Sequence, residues 1–209
     1  MSADGLLRAA LVELVAREVR SERVLDALRA VPRHVFAQEH SLAEAYGDHP
    51  LPIGHGATIS QPTVVGMMSE ALALDGTERI LEIGAGSGYQ AAVLSRLAAR
   101  VDTVEVIPEL ASRARRALAE AGCANVTVHV GDGWIGLADH APFDRIIVTA
   151  APEHLPGALV DQLAEGGMLV VPVGPQTREQ RLERHTKRGG LLVREDLGAV
   201  RFVPMIHQP

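Results

Sequence analysis

The first thirty residues carry apolar side chains at helical spacing. Leu6, Leu7, Ala10, Leu11, Leu14 and Val15 form one stripe, Val24, Leu25 and Leu28 a second, with polar Arg20 and Ser21 between them. The pattern predicts two amphipathic helices broken near 20–21. Pro32 follows the second and pushes Val31 out of helical geometry. Periodicity is then lost until residue 59. Pro32, Pro50 and Pro52, Gly47, Gly54 and Gly56, and His34, His40, His49 and His55 predict a long irregular segment, a candidate lid or substrate wall.

From Thr63 the pattern is regular. Helical spacing covers 63–73, and the apolar run Arg79–Ile83 is a strand ending in a glycine-rich turn. Helix 89–99, strand 101–106, helix 108–121, and strands 126–130 and 144–148 follow, then a short helix over 155–164 and the strand 168–171. Strands alternating with helices predict an α/β fold: a Rossmann-like, doubly wound, mostly parallel sheet with helices on both faces. An N-terminal helical and loop extension over 1–62 precedes a single compact core over 63–209. Leu191–Arg194 and Val200–Val203 form a C-terminal β segment, one strand of which is expected to run antiparallel at the sheet's end. The stretch 174–189, rich in Arg, Gln and Glu, is expected to be a solvated loop or hairpin.

Composition narrows the function. The chain has 209 residues, 47% hydrophobic but only 3% aromatic, so the core is built from Leu, Val, Ile and Ala. A net charge of -6 and a pI near 5.8 argue against a nucleic-acid or anionic-membrane partner, each of which needs a basic footprint. The single cysteine, Cys123, permits no intrachain disulfide. The early acids Asp4 and Glu13 do not suit a signal peptide, and no run approaches the ~20 apolar residues of a membrane helix. A cytoplasmic monomer is expected.

The most informative motif is Ile80-Leu81-Glu82-Ile83-Gly84-Ala85-Gly86-Ser87-Gly88-Tyr89, at the C-terminal end of the first regular strand. Open α/β sheets bind ligands at that edge, beside the switch in strand order. A dinucleotide turn has the spacing G-x-G-x-x-G. Here the third glycine comes one residue early, and Glu82 would repel a pyrophosphate while suiting a cofactor with cationic amino and sulfonium groups. Glu105 ends the second strand, where a carboxylate can accept both ribose hydroxyls. Asp132 follows the third strand, in Gly131-Asp132-Gly133-Trp134. Any one of these could be an acid in a solvated turn; three at the ends of three successive strands point to one ligand.

The second block is Leu51-Pro52-Ile53-Gly54-His55-Gly56-Ala57-Thr58-Ile59-Ser60-Gln61-Pro62. Pro62 suits a first helical turn. On spacing alone Ser60 is an N-cap.

Taken in order, PIG-G-x-TISQP, LEIG-x-GSGYQAAVL, GDG-W-GL, APFD-I-VTAA, GG-LV-PVG and V-x-FVPM resemble the protein-L-isoaspartate (D-aspartate) O-methyltransferases, a family of class I S-adenosylmethionine-dependent enzymes. The resemblance runs from Val31 to Met205. It implies that Glu82, Gly84, Ala85, Gly86, Ser87, Gly88, Glu105, Val106, Asp132, Gly133, Gln61, Pro62 and Thr63 bind S-adenosyl-L-methionine, with Asp132 accepting from the adenine amino group. It also implies that Ser60 is the active-site residue and that Thr58, Ile59, Val203, Pro204 and Met205 join it against the substrate. Ala57 stands where bacterial members often carry glutamine.

The implied activity transfers a methyl group to the α-carboxyl of L-isoaspartyl residues in damaged proteins and peptides, starting repair through a succinimide. Such a carboxyl, with an ordinary pKa near ~3.5, is already ionised and requires no general base. Ser60 would hold one carboxylate oxygen as a donor, aided by backbone N–H groups at the helix start near Gln61. Three alternatives keep the fold: methylation of aspartate in a ribosomally made peptide, a small-molecule methyltransferase, and a regulatory cofactor-binding domain. The nine histidines show no H-x-x-x-H or C-x-x-C spacing, so no metal is assigned. His34 and His55 are expected to be loop hydrogen-bonders and Cys123 inert; Trp134 could pack on the adenine or simply in the core.

Overall fold

A computed structural model describes residues 2–207. Helices α1 (Ala3–Val15) and α2 (Glu22–Ala30) carry the two predicted stripes. Ser21 caps α2, and Val31 leaves helical geometry with φ -87° and ψ 120°, as a residue before proline must. The irregular segment holds more structure than expected: a 3₁₀ turn at Arg33–Phe36, the short helix α3 (Leu42–Ala45) with a Ser41/Glu44 capping box, and an antiparallel pair, β1 (Leu51–Gly54) and β2 (Ala57–Ile59). The β1–β2 turn uses left-handed backbone at Gly54, His55 and Gly56. A histidine inside it and strands of four and three residues hid the hairpin from the pattern.

The rest is α4 (Pro62–Ala71), β3 (Arg79–Ile83), α5 (Tyr89–Ser95), β4 (Arg100–Glu105), α6 (Pro108–Glu120), β5 (Val126–Val130), β6 (Phe143–Val148), α7 (Gly157–Asp161), β7 (Leu163–Val173), β8 (Gln180–Arg188) and β9 (Leu191–Val200). One seven-stranded sheet runs in the order β5-β4-β3-β6-β7-β8-β9. The first five strands are parallel, and β8 and β9 are antiparallel to their neighbours. Strand order therefore reverses between β3 and β6, which puts a crevice at their C-terminal ends.

The C-terminal β segment differs from its expectation. Residues 180–188 form a full strand, β9 ends at Val200, and 201–203 are not strand. Cross-strand ion pairs conceal the alternation of β8. Arg181 meets Asp196, Arg184 meets Glu195, and Glu183 meets Arg194. Charges that satisfy one another across a ladder look like loop composition when read along one chain.

Apolar residues fill both faces of the sheet. On β3, Ile80 packs into the core beneath the helices α1, α2, α4, α5 and α6, while Leu81 and Ile83 face the second core, with Leu159 of α7. Each fully buried Leu or Ile contributes about 1.5–3 kcal/mol. The extension and the sheet share the first core. Gly66 of α4 makes that packing possible: a Cβ there would lie 2.8 Å from Val19 Cγ2. The block ending at Pro62 is thereby fixed at the crevice. Among the described residues no helix is long and apolar enough to cross a membrane.

Candidate active site

The glycine turn sits at the C-terminal end of β3. Gly84, Gly86 and Gly88 take φ of 95°, 52° and 90°, in the left-handed region that side chains resist. Thr149, just past the end of β6, donates its hydroxyl to the Gly84 carbonyl at 2.6 Å, with the Ile83 carbonyl 3.0 Å away as the alternative acceptor. A Cβ on Gly84 would come within 2.5 Å of that hydroxyl oxygen, so the turn and Thr149 fit only because the position is glycine. The Gly84 N–H is held by Val104 O of β4 at 2.8 Å, so the turn is a fixed cradle.

Glu105 holds the turn from the next strand. One carboxylate oxygen accepts from Gly86 N–H at 2.7 Å, the other from Ile107 N–H at 3.0 Å. Each oxygen keeps a further lone pair with which to accept from a diol. Val106 and Ile107 continue the same wall.

Glu82 departs from the expectation that it faces the ligand. It alternates with Leu81 and Ile83 along β3 and points with Ile80 to the helix side. Its side chain is fully buried beneath the turn, outside the cavity wall, opposite Thr103 in the β3–β4 register. Burial, with the Glu105 charge beside it, pushes its carboxyl up to about 8. The sign for stability follows. The folded value exceeds the ordinary 4.5, so the folded chain binds the extra proton between those values, and unfolding free energy falls as pH rises from about 4.5 to about 8. Glu82→Gln, neutral throughout, is expected to flatten that slope, which reaches at most about 1.4 kcal/mol per pH unit. Urea unfolding at several pH values checks it; an unchanged slope in the variant would place the effect elsewhere.

Asp132 accepts from Trp134 N–H at 2.8 Å, and its second oxygen lies 3.0 Å from His207 Nδ1. The His207 ring stacks on Trp134 at 4.9 Å between centroids. The acid expected to meet an adenine amino group is thus already in contact with the chain's own tail.

The second block gives two corrections. Ser60 is not a helix cap: α4 begins after Gln61, and Ser60's hydroxyl makes no hydrogen bond among the described residues. Nor is the start of α4 open to a substrate anion. Asp48 accepts from Thr63 N–H at 2.9 Å, from Thr63 Oγ1 at 2.8 Å and from Gln61 Nε2 at 3.0 Å. That carboxylate already satisfies the positive end of the helix. Gln61 and Thr63 are therefore tied to Asp48, with Pro62 buried beside them, and none of the three lines the cavity next to Glu105.

Two spaces meet at Thr58 and Thr149. A cavity of about 220 Å³ runs from Gly84 and Gly86 past Glu105 and Gly133, walled by the β1–β2 turn on one side and by Val203–Ile206 on the other. A groove of about 550 Å³ continues from it, lined by Ser60, Gln61, Val64 and Val203. Ser60 also borders a narrow gap shared with Ile59, Ala85, Ser87 and the glycines, and so stands where turn and groove adjoin. The tail wall is fastened at two points. Ala151 bonds Val203 O and Met205 N–H around Pro204, and the buried Gln180 amide clamps both backbone groups of Phe202.

Sequence reasoning missed Thr149, Asp48 and Arg33. Thr149 lies in VTAA at a strand's C-terminal end, a placement that could have flagged it. Arg33 is fully buried over Tyr89 and donates through Nη2 to the carbonyls of His49 and Ser60, both at 3.1 Å. It fixes the backbone on which the Ser60 hydroxyl rides.

A family model described as protein-L-isoaspartate(D-aspartate) O-methyltransferase matches residues 8–209. A protein-L-isoaspartate O-methyltransferase of Gloeobacter violaceus is 51% identical over 196 residues, covering 94% of this chain and 96% of that one. Another, from Anaeromyxobacter dehalogenans, is 54% identical over 194 residues, covering 91% and 92%. A solved protein-L-isoaspartate O-methyltransferase superposes with a TM-score of 0.87 at 31% identity over 94% of this chain, which spans 65% of that chain's length. A Plasmodium falciparum protein solved in complex with S-adenosyl-L-homocysteine shares the fold, with a TM-score of 0.84 at 24% identity, covering 95% and 98%.

Proposed function

The chain belongs to the protein-L-isoaspartate(D-aspartate) O-methyltransferase family, and on that premise we propose how its residues share the work. It is an S-adenosylmethionine-dependent carboxyl methyltransferase whose acceptor is the α-carboxyl of L-isoaspartyl residues in damaged proteins and peptides, and the ester it forms initiates repair through a succinimide. The carrying observation is Ser60: a hydroxyl free of hydrogen bonds among the described residues, at the junction of the glycine turn and the groove.

The residues fit the cofactor. The left-handed glycine turn lets a ligand lie against backbone, Glu105 offers a carboxylate to a diol, and Val104, Ile107 and Leu110 give the cavity an apolar wall. Gly84, Ala85, Gly86, Ser87 and Gly88 would hold the methionyl end, Glu105 and Val106 the ribose, and Asp132 and Gly133 the base. Bound there, S-adenosylmethionine supplies an electrophilic methyl group on a sulfonium.

The protein's part is placement. Ser60 would donate to one oxygen of the substrate carboxylate and leave the other free to accept the methyl group that the cofactor would supply. Thr58, Ile59 and the strap Val203-Pro204-Met205 enclose the peptide and exclude water. Val203 O and Met205 N–H are taken by Ala151 and Pro204 has no N–H, so the strap leaves the carbonyls of Pro204 and Met205 to accept from a peptide laid beside it. No side chain need remove a proton, since the acceptor is ionised at neutral pH. Orientation of this kind contributes roughly 7–11 kcal/mol of barrier lowering. Asp48 and Arg33 are positioning residues, one fixing the start of α4, the other the carbonyl of Ser60.

We further read the enzyme as a cytoplasmic monomer without a nucleic-acid partner, in keeping with its net charge of -6 and single buried cysteine. Labelled-methyl transfer to an isoaspartyl peptide, with the matched aspartyl peptide as control, tests the activity. Transfer to the isoaspartyl peptide alone is expected. Transfer to the normal aspartyl peptide instead would point to a dedicated peptide modifier.

A further inference from the structure

Outside the active site the fold assembles a second cluster of donor atoms, and we propose that Asp102, His129 and His140 form a binding site for a divalent transition-metal ion. Asp102 lies on β4, His129 on the neighbouring β5, and His140 in the 3₁₀ turn Ala138–His140 that leads into β6. The Asp102 carboxylate is fully buried, and one of its oxygens lies 2.9 Å from His129 Nε2 and 3.4 Å from His140 Nδ1. All three ligand atoms fall within 4.8 Å of one another. Ligands about 2.0–2.2 Å from a tetrahedral ion stand about 3.3–3.6 Å apart, so closing on a metal needs small side-chain movements and release to solvent of the proton in the His129–Asp102 hydrogen bond. The imidazoles meet edge-on, at 87°, so the two rings do not stack face to face across the space an ion would take. His129 and His140 are 23% and 34% exposed, which gives an ion an entry path and leaves room for water as a fourth ligand.

Two imidazoles and one carboxylate suit zinc, cobalt or nickel in preference to magnesium or calcium. Arg100 grips the same carboxylate, its Nε on one oxygen at 3.0 Å and its Nη2 on the other at 3.2 Å. It orients Asp102 as an outer partner orients a ligating carboxylate. Its charge also opposes the ion and weakens the site relative to one without it. The three ligands come from three separate elements, 27 and 11 residues apart, which is why no metal spacing appears along the chain. Asp102 lies three residues before Glu105 on one strand, about 10 Å away along it. The ion would therefore tie β4, β5 and the approach to β6 together without reaching the reacting atoms.

The test uses the full, untagged chain after chelation, titrated first with cobalt(II) and then with zinc(II). A visible ligand-field band that zinc abolishes is expected. The melting midpoint should rise by about 5–10 °C at a metal concentration about 100 times the dissociation constant. His129→Gln and His140→Gln should each weaken binding at least about tenfold, whereas His40→Gln, on the far loop, should not. Asp102→Asn removes the anionic ligand while keeping the side-chain shape and should act likewise. Circular dichroism and methyl transfer establish that each variant is folded. Absence of band and shift in the unaltered chain overturns the proposal, as does equal metal affinity in the three ligand variants.

Discussion

Ser60→Ala is expected to lower turnover of an isoaspartyl peptide about 10- to 150-fold, the loss of one hydrogen bond to a charged group worth about 1.5–3 kcal/mol. Affinity for S-adenosylhomocysteine should change by less than about twofold. The division follows from what the hydroxyl does in the free enzyme. Asp48, not Ser60, satisfies the first N–H of α4, and Ser60 makes no hydrogen bond among the described residues, so its removal leaves no buried partner orphaned. The melting midpoint should stay within about 1 °C. Steady-state kinetics beside calorimetry separates the possibilities. A large fall in stability with unchanged kcat would make Ser60 a structural residue and remove the central element of the mechanism.

Glu105→Ala is expected to reverse that pattern, weakening cofactor affinity about 100-fold or more, while kcat at saturating cofactor falls much less. Two losses combine. A diol loses a charged acceptor, and the N–H groups of Gly86 and Ile107 lose theirs, so the turn itself loosens. Glu105→Gln is informative because it keeps the volume. An amide has one oxygen and one NH₂, so it cannot accept from both N–H groups and must set a donor against a donor. It should therefore lose most of the affinity that alanine loses. Calorimetric titration with S-adenosylhomocysteine measures both, and near-normal binding by the glutamine variant would show that neither contact matters.

The central strands were legible because local and global demands agree there. β3 and β5 have the bounds that their apolar runs predict, since each is flanked by polar turns. The pattern failed where stability comes from across the sheet. β8 reads as a solvated loop because its charges are answered by Asp196, Glu195 and Arg194 on β9, which no window along one strand can reveal. The candidate site divides in the same way. Glycines and strand-end acids declare themselves by position, so the turn and Glu105 could be read directly. Glu82 could not be oriented without knowing which face of β3 meets the helices. Asp48 caps a helix that starts fourteen residues later, and Arg33 reaches a carbonyl 27 positions away. Such long-range hydrogen bonds leave no local signature.

The two side walls of the cavity come from stretches far apart in the sequence, the β1–β2 turn and Val203–Ile206. All the sheet's strands precede the second of these walls in the sequence. A polypeptide interrupted after β9 would thus keep most of its packing yet present a crevice open along one flank. The strap is thus a separable part of the site, needed to close the crevice and not to build the sheet beneath it.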